Sequence, residues 1–197
     1  MVALHEQGLF RMLLTKKVGG AELPLPIFIQ VVERIASYDG SAAWCVCQGS
    51  GCSMLGNYLA SEVAAEIWQD KPDGILAWGP GKAEAQAVDG GYNVTANTMF
   101  VSGGHHATWV AAHCGTVKER DGSVRMGKNG KPEDRTVLIR KDRVTLTDAW
   151  DVVGLRGTGS DGFILKDFFV PDEHTIVRAT MIEDAGQTTT LYSFSTM

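Results

Sequence analysis

Charge of one sign, evenly spread cysteine and proline are all scarce in this sequence. Lys and Arg total 18 against 23 Asp and Glu, a formal net charge of −5 over 197 residues. That balance argues against a nucleic-acid binder with a basic face. The four cysteines stand at 45, 47, 52 and 114, three of them inside one apolar segment. A secreted disulfide framework spaces its cysteines differently, so a reducing, cytoplasmic compartment is expected. No basic stretch followed by an apolar run and a small-residue cleavage site opens the chain, so no secretory signal is visible. Only 6 prolines accompany 23 glycines in a composition that is 44% apolar. Collagen-like and low-complexity readings are excluded, and the glycines imply turns and close backbone approaches.

Charged side chains are missing altogether from Gly40 to Ser61. Gln48, Asn57 and several Ser and Gly in that stretch would lack partners in hydrocarbon, so it reads as a helix buried in protein, and no membrane association is expected. No Gly-Lys-Ser/Thr phosphate loop and no Gly-x-Ser-x-Gly nucleophile elbow is present. Gly157-Thr158-Gly159 sits in a strand-rich region with no helix after it, so it is not a dinucleotide fingerprint. His105, His106, His113 and Cys114 lie close in sequence, but Cys45 and Cys47 are distant and belong to an apolar helix. No metal site is expected, and the cysteines read as small core hydrophobes.

The first 70 or so residues carry helical patterning. An amphipathic stretch from about Leu4 to Leu14 stops at Gly19-Gly20. Pro24 and Pro26 open a second helix, with Ile27, Val31 and Ile35 recurring on one face and Asp39-Gly40 at its end. Ser41 is expected to cap a third helix carrying Trp44, Val46, Met54 and Leu55, and Ser61 a short fourth. From Ile75 the pattern changes to strands: Ala85 to Val88, Tyr92 to Thr98, Trp109 to Glu119, Arg135 to Arg140, Val144 to Thr147 and Gly162 to Val170. Meander order without helical crossovers predicts an antiparallel sheet or barrel, hence an α+β fold. The divisions expected are a helical domain over 1–74 that lacks its start, a β-barrel domain over 75–178, and over 179–197 a linker and the start of a C-terminal helical bundle that is otherwise missing.

Six stretches carry a resemblance: GLF at 8–10, GGAELPLP at 19–26, DGSAAW at 39–44, AWGPG at 77–81, DGGYNVTANTMFVSGGHHATW at 89–109 and GLRGTGSDGFILKDFFVP at 154–171. Together they make the chain similar to the acyl-CoA dehydrogenase superfamily over essentially its whole length, through the N-terminal helical and middle β-barrel domains. Trp78, the SGGHH run and the WDVVGLRGTGSD string resemble its flavin-dependent monooxygenase branch, similar to the oxygenase of 4-hydroxyphenylacetate hydroxylase.

The resemblance implies a flavin, FAD or FMN, supplied reduced by a separate reductase, and hydroxylation of an aromatic or polycyclic small molecule. It also implies a homo-oligomer, tetrameric when the C-terminal bundle is present. On the matching positions, Ser102 would lie beside flavin N5, where a hydroxyl can donate or accept. Phe100, Val101 and Ser102 would line the ring edge, and Trp78 and Gly79 would cover the ring. His106, with His105, would reach the oxygen-reacting face as a catalytic group, and Arg156 would fix its loop by hydrogen bonds. Gln48 and Ser50 would contact substrate from the uncharged helix. Two other readings stay open: an acyl-CoA dehydrogenase oxidising a CH–CH bond of an acyl thioester with FAD, and a non-catalytic remnant of the fold.

Overall fold

The computed structural model describes residues 1–178 and 190–193. Most of the expected linker, 179–189 and 194–197, lies outside the described residues. Helices α1 (Val2–Glu6), α2 (Leu25–Ala36), α3 (Gly40–Ser53) and α4 (Ser61–Trp68) precede strands β1 (Leu76–Trp78), β2 (Gly81–Val88), β3 (Gly91–Thr98), β4 (Trp109–Cys114), β5 (Thr116–Lys118), β6 (Arg135–Arg140), β7 (Ile164–Pro171) and β8 (Thr175–Val177). Among the described residues no helix is long and apolar enough to cross a membrane.

Local chemistry moves several expected helix ends. The stretch from Leu4 to Leu14 is not one helix. Gly8 takes a left-handed conformation with φ 66°, and the chain restarts as a 3-10 turn over Leu9–Arg11. Arg11 then donates to the carbonyls of Val18, Gly19, Trp68 and Lys71, tying this turn to the end of α4. On α2 the inward face is Phe28 with Val31, Val32 and Ile35, while Ile27 is exposed. The cap of α3 is Asp39, whose carboxylate accepts from the Ala42 amide at 2.8 Å; Ser41 is already inside the first turn. Ser61 likewise starts α4 without capping it, because the N-cap residue is Ala60.

The strands form two four-stranded sheets, ordered β1-β4-β6-β8 and β5-β2-β3-β7. This is not a meander. Antiparallel pairs dominate, but β1 runs parallel to β4 and β2 parallel to β5. The reason is that the chain changes sheet at every step but β2 to β3, most tightly over Gly79-Pro80 from β1 to β2 and at Gly115 from β4 to β5. The expected strand from Trp109 to Glu119 is therefore two strands in different sheets. Val144 to Thr147 supplies only an isolated bridge, Leu146 to Phe163.

The sheets enclose Ala85, Val94, Val110, Val137, Ile139 and Phe163, in a core continuous with Phe10, Phe28 and Val46 of the helical part. A second cluster seats Ile67 and Trp68 of α4 against Leu76, Trp109 and Leu138 on the other face of the first sheet. Leu191 and Tyr192 are buried, and the Tyr192 hydroxyl donates to the Leu13 carbonyl at 2.7 Å.

The cap assignment has a direct consequence. Asp39→Ala should cost about 1 kcal/mol of stability and Ser41→Ala less than about 0.5 kcal/mol in urea denaturation. Equal losses would contradict the assignment of Asp39 as the cap.

Candidate active site

Where β3 ends, its ladder with β7 does not stop but frays. Thr98 N–H donates to Phe163 O, Val101 N–H to Asp161 O and Gly103 N–H to Thr158 O, each at 3.0 Å. These irregular bonds hold the 98–103 segment against the 158–163 segment. Helix α3 closes the third side, and the end of β1 the fourth.

Between them lies a cleft of about 510 Å³. Its walls are aromatic: Trp44 from α3, Trp78 from β1, Phe100 after β3 and Trp150 from the loop before β7. Phe100 and Trp150 meet edge to face at 5.7 Å between ring centres. Phe100 and Leu155, both in the lining, hold left-handed backbone conformations with φ 56°. Such a conformation costs a non-glycine residue roughly 1–2 kcal/mol and persists only where its surroundings enforce it.

Hydroxyls gather at the buried end. Trp44 Nε1–H donates to Ser102 Oγ at 2.9 Å, Ser102 Oγ lies 2.8 Å from Ser160 Oγ, and Ser160 Oγ 2.7 Å from Thr158 Oγ1. Behind them the buried carboxylate of Asp161 accepts from the amides of Ala149 (2.7 Å) and Trp150 (3.0 Å) and contacts His105 Nε2 at 2.9 Å. Burial pushes the Asp161 carboxyl up, but the bonds from His105 and the two amides outweigh it and hold it below the ordinary carboxylate value.

A second cavity of about 390 Å³ adjoins the first and shares Gln48, Trp78 and His113 with it. Its lining combines apolar groups such as Phe28, Met54 and Leu55 with Thr136 and Arg178. His113 Nδ1 lies 2.8 Å from Thr136 Oγ1, and its ring meets Trp78 edge to face at 5.1 Å. Burial, reinforced by Arg178, pushes the imidazole down to about 4, so it is neutral at pH 7.

Of the residues singled out from the sequence, Gln48, Trp78, Gly79, Phe100 and Ser102 all line the cleft. Val101 is fully buried behind it. At Gly79 a Cβ would stand 2.0 Å from Met99 O, so the glycine serves the approach of two backbones. Ser50 is not in the lining; its hydroxyl donates to Leu9 O at 3.0 Å on the core side of α3. His106 is exposed and outside the lining, since the 3-10 turn over Gly104–His106 carries it away from the cleft. His105 is turned to Asp161. Arg156 faces solvent, and its contact within its own loop is an exposed ion pair with Asp151 at 4.0 Å rather than a set of hydrogen bonds.

The sequence reading missed His113, Trp150, Leu155, Thr158 and Ser160 as lining residues and gave Trp44 no role beyond its helix. A usable signal existed for two of them. Thr158 and Ser160 are hydroxyls two residues apart in a glycine-flanked run, GTGSD at 157–161, beside an acid. Among the described residues, no group of three or more His, Cys, Asp or Glu is placed to hold a metal ion.

No protein-family model matches the chain. It is 34% identical over 180 residues to the flavin-dependent monooxygenase oxygenase subunit HsaA of Rhodococcus jostii, covering 89% of this chain and 44% of that protein. Against the indole-3-acetate monooxygenase of Pseudomonas putida the identity is 33% over 181 residues, covering 89% of this chain and 43% of the relative. The crystal structure of a 3-HSA hydroxylase from Rhodococcus superposes with a TM-score of 0.84 at 28% identity, over 98% of this chain and 49% of that one. The chain thus spans somewhat under half the length of the curated relatives it matches.

The His113 environment sets a pH dependence. Unfolded, the ring titrates near 6.5; folded, near 4. Between those values the unfolded chain takes up a proton that the folded one refuses, so stability falls as pH drops through the window, by about 3 kcal/mol at most. Thermal unfolding at pH 7, 5.5 and 4 should show a shallower loss for His113→Gln than for the unaltered chain. Identical slopes would mean that the ring is solvated.

Proposed function

From a chain that has the acyl-CoA dehydrogenase-like fold and whose relatives are oxygenase subunits of flavin-dependent monooxygenases, we propose the flavin- and substrate-facing part of a two-component monooxygenase that hydroxylates an aromatic or polycyclic compound. The observation that carries this reading is Ser102 at the buried end of an uncharged, aromatic-walled cleft. A serine hydroxyl offers one donor and two acceptor positions. Ser102 uses the donor and one acceptor within the protein, toward Ser160 and the Trp44 indole, and keeps one lone pair for a ligand.

The cleft fits the group that this reading requires. Its volume lies within the roughly 300–1,000 Å³ of small-molecule sites, and its indole and phenyl faces suit a flat heterocycle. Trp78 and Phe100 are the walls against which the ring system would lie, and Ser102 is the group proposed beside its N5. A bound reduced flavin, FAD or FMN, supplies the electron pair that activates dioxygen.

The chain's own residues orient reactants and exclude water. The adjoining apolar cavity is the proposed substrate compartment, with Gln48 as its polar contact and Trp78 with neutral His113 at the boundary. An uncharged boundary suits an apolar ring, because a charged imidazolium there would have to be desolvated on every binding event. A separate reductase to deliver the flavin, and a homo-oligomer as the working assembly, go with this reading. Four free cysteines agree with a cytoplasmic setting.

Anaerobic thermal unfolding with FMN and FAD tests the proposal. A ligand held by the folded state at 100 times its Kd stabilises by about 2.7 kcal/mol, so reduced flavin should raise the midpoint by several degrees. Ser102→Ala should weaken flavin binding about three- to tenfold, read as the flavin-induced shift from that variant's own unliganded midpoint, which the loss of the Trp44 and Ser160 bonds should lower. No shift with either flavin in either redox state would sink the reading.

A further inference from the structure

The hydroxyl row at the buried end of the cleft has a direction, and it is fixed by donor counting. Each hydroxyl has one hydrogen to give. Thr158 Oγ1 gives its hydrogen to the Leu155 carbonyl at 2.9 Å, so toward Ser160 it can only accept. Ser160 therefore donates to Thr158 and accepts from Ser102. Ser102 in turn donates to Ser160, and the indole of Trp44, which is a donor only, fills one of its acceptor positions. What Ser102 presents to the cleft is a lone pair.

We propose that Thr158 and Ser160 are positioning residues that polarise Ser102 as an acceptor, so that the cleft selects a ligand carrying a hydrogen at the facing atom over the same ligand without it. This rests on the flavin reading above, and it deepens it: N5 of a reduced flavin carries a hydrogen and that of an oxidised flavin does not. Binding the oxidised form with a hydrogen bond requires the row to reverse. Thr158 would then donate to Ser160 and Ser160 to Ser102, freeing the Ser102 hydrogen for the cleft.

Reversal is possible but unfavourable. The Leu155 carbonyl would keep the Thr158 amide at 3.1 Å and the Trp150 indole at 3.3 Å, and lose only the Thr158 hydroxyl. Forfeiting one neutral hydrogen bond corresponds to a preference of about three- to tenfold for the hydrogen-bearing form. Thr158 and Ser160 are buried, at 2% and 4% exposure, so water does not compete for the row. The loop bearing them is held by Gly103 N–H to Thr158 O and by the Asp161 clasp.

The test compares Kd values for photoreduced and oxidised FMN and FAD under anaerobic conditions, read by flavin absorbance and fluorescence. The unaltered chain should bind the reduced form about three- to tenfold more tightly through this row. Thr158→Val removes the anchoring hydroxyl and Ser160→Ala the bridge, and either should bring the ratio of the two Kd values toward one. Thr158→Ser keeps the hydroxyl and should restore the ratio. Should Thr158→Val fail to fold by circular dichroism, Ser160→Ala and Thr158→Ser carry the comparison. Flavin binding with an unchanged ratio in Ser160→Ala overturns the positioning role and leaves the flavin site standing. Absence of flavin binding to the unaltered chain overturns both.

Discussion

The candidate site depends on one constraint: the β3–β7 ladder continues past its regular end as three widely spaced backbone bonds, from Thr98, Val101 and Gly103 to Phe163, Asp161 and Thr158. A regular ladder would pair every second residue and turn alternate side chains out on both sides. The frayed one leaves Phe100 free to adopt a positive φ and turn its ring into the cleft, while Ser102 and Ser160 meet across the gap. The cleft is thus a controlled failure of sheet pairing, sealed on its far side by α3.

Strain at Phe100 and Leu155 has to be offset by surrounding contacts, and the Asp161 clasp is a strong one. A buried carboxylate that accepts two amides and a histidine makes charge-assisted bonds, which are roughly twice as strong as neutral ones. It fixes the loop that carries Trp150 and so holds one aromatic wall. Helix α3 is bound to the same loop region: Ser41 lies against Gly157, and Cys45 Sγ is 3.9 Å from Thr158 O. On the buried face of α3, at Ala43, Cys45, Val46, Gly49, Ser50 and Cys52, an ionised group would lack water, in keeping with the uncharged sequence there.

Two cavities meet at Trp78, Gln48 and His113, and the proposed function gives each a different ligand. The hydroxyl-bearing compartment suits a heterocycle with a hydrogen-bonding edge, and the apolar compartment suits a ring with little polarity. His113 remains neutral between them because burial and the charge of Arg178 both oppose its protonation.

The sequence by itself determined the class of the fold and the position of the sharpest landmarks. Helical periodicity before Ile75 and strand alternation after it are local properties, and the Asp89-Gly90 turn and the strand Arg135–Arg140 follow from neighbours alone. The roles expected of Trp78, Gly79, Phe100 and Ser102 rest on the resemblance of their motifs to a family. Tertiary structure decided the rest. The parallel pairs β1–β4 and β2–β5 arise from chain crossings that no local pattern encodes. The displacement of His106 and Ser50 from the cleft depends on a single 3-10 turn and on which face of α3 meets the core. Trp44 and Ser160 lie 58 residues on either side of Ser102. Their convergence comes from packing a helix and a loop onto one frayed ladder, and hydrogen-bond direction along that row exists only once all its members are in place.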